Sequence, residues 1–113
     1  MAVHILEDDP GVCDSLKLLL QQLGHRVSTY PDAETFFETP PPGPEDVVIV
    51  DLGLPGISGA HVIDWIAALK QAPRVIAISG QTQHQIDKQL AGVTHAPILL
   101  RKPLTEAKLA ELL

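Results

Sequence analysis

Five short runs of β-forming residues alternate with five helix-like segments, and this order constrains the fold more than any other feature of the chain. The runs cover residues 3–6, 26–30, 47–50, 75–78 and 97–100. Runs of four or five such residues, bounded by polar or turn-forming residues, predict buried strands. Strands that alternate with helices are joined by crossover connections, which produce a parallel sheet covered on both faces. We therefore predict an α/β fold with a doubly wound, five-stranded parallel sheet and helices on both faces.

The segments between these runs carry helix start and stop signals. Apolar residues recur at helical spacing from Val12 to Leu23, Asp9-Pro10 predicts an N-cap and first turn, and Gly24 predicts the helix end. The later helices are predicted over residues 32–37, 58–69, 82–90 and 105–113, with caps at Asp32, Ser58 and Thr82. Gln85, three residues after Thr82, completes a predicted capping box.

Length and composition predict one domain. A chain of 113 residues with 45% hydrophobic content can bury a single core without metal or disulfide support. We therefore expect residues 1–113 to form one domain. The proline-rich segment 39–44 is interpreted as a stiff surface loop, because too little chain precedes it to form a separate domain.

The charge and the cysteine content limit the cellular location and the kinds of partner that we expect. The single Cys13 cannot form an internal disulfide, and no apolar run approaches the roughly 20 residues that span a bilayer. The amino terminus also lacks the layout of a signal peptide, so we expect a cytoplasmic protein without membrane contact. The net charge of −6 argues against direct nucleic-acid binding, and we expect a monomer or weak dimer.

Polar residues follow four of the five predicted strands. Glu7 and Asp8 follow the first strand, Asp51 the third, Ser79 the fourth and Lys102 the fifth. The carboxyl ends of parallel strands lie at one edge of a doubly wound sheet, where ligands bind. We therefore expect carboxylates, a hydroxyl and an ammonium group to converge in one crevice.

This combination of groups suits phosphoryl chemistry. Converging carboxylates stay ionised at neutral pH only beside a cation, and an all-oxygen site with few protein ligands favours Mg²⁺ completed by phosphate oxygens. A carboxylate can act as the nucleophile that forms an aspartyl phosphate. We predict that Asp51 is this nucleophile and that Lys102 and Ser79 hold the phosphoryl oxygens.

The predicted metal site uses the acidic residues of the same edge. Asp8 and Asp51 are expected to ligate Mg²⁺, with Glu7 acting either directly or through water and the Gly53 carbonyl as a neutral ligand. Asp9 is interpreted as a helix cap and not as a ligand, because Pro10 follows it.

Together these motifs resemble the receiver domain of bacterial two-component response regulators. The acidic pair after the first strand, Asp51 in DLGLPG, Ser79-Gly80 and Lys102-Pro103 follow the family's order and spacing over essentially the whole chain. The resemblance implies a flavodoxin-like fold with strand order 2-1-3-4-5 and a commonly cis Lys-Pro peptide. It also implies phosphoryl transfer to Asp51 from a sensor histidine kinase or a histidine phosphotransfer protein. A stand-alone receiver, a larger regulator with an output domain and a hybrid kinase are all compatible with the resemblance.

The resemblance describes a signalling domain whose only chemistry is its own phosphorylation and dephosphorylation. One alternative is a pseudo-receiver that binds partners without being phosphorylated, although Asp8, Asp51 and Lys102 are all present. A second alternative is a Mg²⁺-dependent phosphohydrolase of the haloacid-dehalogenase type. That class uses a second Asp two positions after the nucleophile, where this chain has Gly53.

Three positions depart from the family pattern. Glu7 replaces the commoner Asp, Gly53 has no side chain to position or block a hydrolytic water, and Leu99 stands where an aromatic switch residue is common. Segment 91–97 also lacks the usual residues before the fifth strand. Because Leu99 has no hydroxyl and no flat ring, we expect output through the loop after Ser79 and the helix that follows.

Overall fold

Strands and helices alternate along the whole of the computed structural model, which describes residues 2–93 and 97–113. The elements within these residues are β1 (Ala2–Leu6), α1 (Pro10–Gln22), β2 (Arg26–Tyr30), α2 (Ala33–Phe37), β3 (Val47–Asp51), α3 (Gly59–Ala67), β4 (Arg74–Ser79), α4 (Gln83–Leu90), β5 (Ile98–Arg101) and α5 (Glu106–Leu112). No helix in these two stretches is long and apolar enough to cross a membrane.

The strands form one parallel sheet in the order β2-β1-β3-β4-β5. This confirms the predicted doubly wound sheet and its strand order. Every residue of the central strand β3 is buried, which explains its continuous apolar run. In the β3–β4 register Asp51 lies opposite Ile78, so Asp51 and Ser79 end neighbouring strands at the same edge.

Helices cover both faces of the sheet. On one face, Leu16 and Leu20 of α1 and Leu109 of α5 pack on alternate residues of the central strands. On the other face, α2 and α3 pack through Phe36 and Val62, and α4 packs through Ile86. Full burial of each aliphatic side chain contributes about 1.5–3 kcal/mol, so these two layers supply the main stabilisation of the fold.

The predicted helix starts agree with the structure, whereas α3 ends at Ala67, two residues before the predicted end. The Asp9 side chain accepts hydrogen bonds from the first turn of α1, and the Thr82–Gln85 capping box is present in full. Gly24 follows α1 with a φ of +92°, a conformation that glycine adopts without steric cost. At the other end of the chain, β5 runs one residue later than predicted, and of the atypical segment 91–97 residues 94–96 lie outside the described part.

The proline-rich loop is fastened to the sheet at its end. The Asp46 carboxylate accepts hydrogen bonds from the Gly43 backbone N–H at 3.1 Å and from His4 Nε2 at 3.0 Å. Burial alone would raise the pKa of Asp46, but the bonds from His4 and Gly43 lower it below its ordinary value. The other ring nitrogen of His4 lies 3.1 Å from the Tyr30 hydroxyl, so the loop is tied to β1 and β2.

Candidate functional site

Three carboxylates meet at the carboxyl edge of the sheet. Oxygen atoms of Glu7, Asp8 and Asp51 lie within 4.8 Å of one another. Glu7 and Asp51 are only 2% and 5% exposed, whereas Asp8 is exposed. Glu7 and Asp8 lie on the loop after β1, and Asp51 ends the adjacent strand β3, so the strand order alone brings them together.

Lys102 neutralises part of this cluster. Its Nζ donates to Glu7 Oε1 at 3.2 Å, to Glu7 Oε2 at 3.1 Å and to Asp51 Oδ2 at 3.2 Å. Its backbone N–H donates to the Ser79 carbonyl at 2.9 Å, which continues the pairing of β5 with β4 beyond the strands. The ammonium group is therefore held by its own backbone at the point where the two buried carboxylates meet.

The shared environment shifts the titration of Glu7 and Lys102. Burial, together with the neighbouring Asp51 carboxylate, raises the pKa of Glu7 from 4.5 to about 7, although Lys102 acts in the opposite direction. Burial would lower the pKa of Lys102, but the charges and hydrogen bonds of Asp51 and Glu7 raise it above its ordinary value. The site thus holds more negative charge than one ammonium group compensates.

The backbone around Asp51 fixes its carboxylate. Oδ1 accepts a hydrogen bond from the Gly53 N–H at 2.9 Å, and Oδ2 faces Lys102. Gly59, the first residue of α3, packs directly against this strand end: a Cβ atom there would lie 2.6 Å from the Asp51 carbonyl oxygen. The start of α3 thus packs against the end of β3 and fixes the backbone of Asp51. The Asp51 carboxylate is thereby held beside Lys102.

Ser79 ends β4 with its hydroxyl bonded inside the following loop. Its Oγ accepts a hydrogen bond from the Gln81 N–H at 2.9 Å and lies 3.3 Å from Gln81 Oε1. Ser79 is 1% exposed. The hydroxyl is therefore fully engaged with Gln81 in this conformation, next to the acidic cluster.

The structure brings most of the predicted site residues together at one edge of the sheet. Glu7, Asp8, Asp51 and Lys102 converge as expected, and Gly53 contacts Asp51 through its N–H. The ligand role of the Gly53 carbonyl stays a prediction. The Lys102–Pro103 peptide bond is cis, as the resemblance implied.

Sequence reasoning missed three residues around the site: Gly59, Gln81 and Arg101. Arg101 donates from its guanidinium to the Gln81 carbonyl at 3.0 Å, and so belongs to the loop network of Ser79. Glycine allows backbones to approach closely, so Gly59, directly after the predicted cap Ser58, is the one signal that could have indicated its contact with the end of β3. No sequence signal singles out the side-chain contacts of Gln81 and Arg101.

Comparison with known families decides what kind of domain this is. The family model described as the response regulator receiver domain matches residues 3–113. The chain belongs to this family. Receiver domains are signalling domains, and the conclusion agrees with the resemblance seen in the motifs.

Curated relatives of this receiver domain are bacterial regulators. It is 29% identical over 103 residues to the transcriptional regulatory protein CreB of Escherichia coli, covering 91% of this chain and 44% of that protein. It is 34% identical over 80 residues to the transcriptional regulatory protein KdpE of Mycobacterium tuberculosis, covering 71% of this chain and 35% of that protein. The receiver domain therefore spans less than half the length of these relatives.

Solved structures support the fold. A CheY-like receiver domain from Methylobacillus flagellatus has a TM-score of 0.82 and 24% identity, covering 99% of this chain and 94% of that one. The receiver domain of the sensor histidine kinase PA1611 from Pseudomonas aeruginosa, solved with magnesium in its active-site cleft, has a TM-score of 0.86 and 20% identity, covering 98% and 92%. These similarities establish the receiver fold.

Proposed function

We propose that this receiver domain accepts a phosphoryl group on Asp51 in a Mg²⁺-dependent reaction and switches conformation to control an output. The phosphodonor is the phosphohistidine of a sensor histidine kinase or of a histidine phosphotransfer protein. The observation that carries the proposal is the Lys102 ammonium, which bridges the buried carboxylates of Asp51 and Glu7 beside the exposed Asp8. A buried carboxylate already paired with a cation is a suitable acceptor for an anionic group.

The donor set fits a divalent cation. Glu7, Asp8 and Asp51 offer hard carboxylate oxygens within 4.8 Å of one another, and Asp8 faces solvent. Three carboxylates share the one ammonium group of Lys102, and burial together with Asp51 raises the pKa of Glu7 despite Lys102. Asp8 and Asp51 would hold Mg²⁺, with Glu7 direct or through water and the Gly53 carbonyl as a neutral ligand. The ion would supply charge compensation between the carboxylate and the incoming phosphoryl group.

The transfer forms one bond and breaks another. A carboxylate oxygen of Asp51 bonds to phosphorus while the P–N bond to the donor histidine breaks, and the imidazole leaves with the electron pair and takes a proton from solvent. Lys102 donates to an oxygen of the transferred group, since its Nζ already lies 3.2 Å from Asp51 Oδ2. Ser79 donates to a second oxygen after releasing Gln81.

The direct test is covalent labelling of Asp51. Incubation with a small phosphodonor and Mg²⁺ is expected to add one phosphoryl group that hydroxylamine releases, as measured by intact mass. Asp51→Asn is expected to abolish the adduct, whereas Asp64→Asn, an exposed aspartate on α3, serves as the matched control and leaves it unchanged.

Two other outcomes would select the alternatives. A wild-type protein that is folded and binds Mg²⁺ but takes up no phosphoryl group would be a pseudo-receiver. Continuous release of phosphate from a phosphomonoester would indicate the hydrolase instead. Labelling without turnover supports the receiver function alone.

The output lies outside this domain. The curated relatives named above are transcriptional regulatory proteins of more than twice the matched length. We therefore assign the response to an output domain in the full-length protein, with the kinase or phosphotransfer protein as upstream partner in the cytoplasm. The net charge of −6 supports a receiver that does not itself bind nucleic acid.

A further inference from the structure

Arg101 joins the end of β5 to the loop between β4 and α4. Its Nη1 donates to the Gln81 carbonyl at 3.0 Å, and its Nη2 donates to Gln83 Oε1 at 2.8 Å. Gln83 is the first residue of α4, and its side-chain amide also donates to Asp87 one turn later at 2.7 Å. One guanidinium thus holds both the middle of the loop and the start of the helix.

The same loop residue holds the Ser79 hydroxyl. The Gln81 N–H donates to Ser79 Oγ, and the Gln81 carbonyl accepts from Arg101. The two ends of one residue's backbone are therefore bonded to the site hydroxyl and to the guanidinium. If Ser79 moves toward Asp51, either the bond from the Gln81 N–H breaks or Gln81 follows and its carbonyl is pulled away from Arg101.

We propose that Arg101 is a positioning residue that latches the β4–α4 loop in the unphosphorylated state and couples release of the Ser79 hydroxyl to movement of α4. The inference rests on the proposed phosphorylation of Asp51. The Ser79 hydroxyl gives up Gln81 Oε1 and donates to the phosphoryl group instead, Gln81 follows through its N–H, the Gln81 carbonyl leaves Arg101, and Gln83 and α4 are freed. The latch shifts the equilibrium between the unphosphorylated and phosphorylated arrangements of the β4–α4 loop, because the Arg101 contacts exist only in the unphosphorylated one.

Leu99 cannot make the hydrogen bonds that hold the loop, whereas Arg101 on the same strand can. Leu99 and Arg101 lie two residues apart on β5 and so share one face of the strand. Leu99 is partly buried against the cluster of Leu52, Ile63, Ala77 and Ile86. An aliphatic side chain has no donor for the loop, whereas the two-pronged guanidinium reaches it from the strand end.

The test compares three arginine variants for phosphorylation rate and for the position of α4. The variants are Arg101→Ala, Arg101→Lys and the control Arg74→Ala, which removes another exposed arginine bonded to a carbonyl, that of Leu112. Without the latch, a small phosphodonor with Mg²⁺ is expected to label Asp51 roughly two- to tenfold faster, the range for a few exposed charged hydrogen bonds. Arg101→Lys should also be labelled faster, because lysine keeps the positive charge but lacks the two-pronged guanidinium that bonds to Gln81 and Gln83.

The position of α4 is read from the Ile86 methyl resonance, which lies in the buried cluster under the helix. In unphosphorylated Arg101→Ala this resonance is expected to move toward its place in wild-type protein carrying a beryllofluoride mimic. Arg74→Ala should leave both the rate and the resonance unchanged. Thermal unfolding of each variant checks that the fold is retained.

The outcomes separate this inference from the function on which it rests. A wild-type protein that takes up no phosphoryl group would contradict both the proposed function and the latch. Normal wild-type labelling, with Arg101→Ala unchanged in rate and in the Ile86 resonance, would overturn the latch alone. A slower reaction in Arg101→Ala that Arg101→Lys restores would also overturn it, since the charge of Arg101 would then act only by attracting the anionic donor.

Discussion

Gly59 and Asp51 approach each other so closely that a Cβ atom on Gly59 would lie 2.6 Å from the Asp51 carbonyl oxygen. The same atom would lie 3.0 Å from Leu52 Cα and 3.2 Å from a methyl group of Val50. Two of these neighbours are backbone atoms, which cannot rotate away as a flexible side chain would. The first turn of α3 therefore sets the position of the strand end that carries Asp51.

Gly59→Ala is expected to lower the free energy of unfolding by about 1–3 kcal/mol, the usual cost of overpacking a tight contact. It should also slow phosphorylation, because Asp51 shifts relative to Lys102. Denaturant unfolding and intact-mass labelling measure the two effects. Gly43→Ala is the matched control, since a Cβ there meets nothing within 4 Å; equal losses in both variants would contradict the prediction.

Lys102→Met is expected to slow phosphorylation severely and to destabilise the metal-free fold at pH 8. The Glu7 and Asp51 carboxylates then stay buried without their ammonium partner. Because the Lys102 side chain is 24% exposed, we expect a loss of about 1–3 kcal/mol, less than for a fully buried pair. Urea unfolding measures it, and exposed Lys88→Met is the control. Unchanged stability at pH 8 would show that solvent already screens the pair.

The raised pKa of Glu7 predicts that the stability of the metal-free protein depends on pH. Its pKa is raised from 4.5 to about 7 in the fold, so its favourable contribution is complete below pH 4.5 and is lost as the pH rises through 7. The loss amounts to up to about 3 kcal/mol. Glu7→Gln should be more stable than wild type at pH 8, with the difference shrinking toward pH 5.

Denaturant unfolding in the presence of a chelator, at pH values from 5 to 8, measures this difference in the free energy of unfolding. Asp8→Asn, a substitution of the exposed neighbour, should keep the wild-type pH dependence. A Glu7→Gln variant that follows the wild-type curve across this range would show that Glu7 stays ionised throughout.

Asp8 and Asp9 provide a matched pair of variants for testing the proposed metal site. Asp8 belongs to the carboxylate cluster, whereas the Asp9 side chain caps α1. Asp8→Asn is expected to weaken Mg²⁺ binding by at least about tenfold, because even outer-sphere losses have effects of that size. Asp9→Asn keeps a capping side chain and should bind Mg²⁺ as wild type does. Titration calorimetry gives both affinities, and equal weakening in the two variants would argue for long-range charge alone.

Leu99→Ala is expected to destabilise the fold by about 1–3 kcal/mol while leaving the response of the β4–α4 loop intact. Leu99 packs on the cluster under α4 and offers no hydrogen bond to the loop. Backbone amide shifts of residues 80–84, with and without a phosphoryl mimic, measure the response. If these shifts vanished in a variant that stayed folded and phosphorylatable, Leu99 would be part of the switch.

The sheet and the acidic cluster were predictable because they depend on backbone order. Apolar runs locate the strands, and parallel strands place Glu7, Asp51 and Lys102 at one edge whatever their rotamers. Ser79 was predictable as a site residue, but the bond between its hydroxyl and Gln81 was not, because local loop geometry selects that partner. The same holds for Arg101, whose long side chain has many rotamers and several acceptors within reach.

The Lys102–Glu7 contact joins residues 95 positions apart, so the site is complete only after β5 has been synthesised. A ribosome releases β1 and β3 first, so both buried acids await a counterion that arrives with the last strand. Until β5 docks, Glu7 and Asp51 have no ammonium group between them. The proposed phosphorylation should therefore be possible only when the whole sheet has closed, and a nascent chain that stops before Lys102 is expected to take up no phosphoryl group.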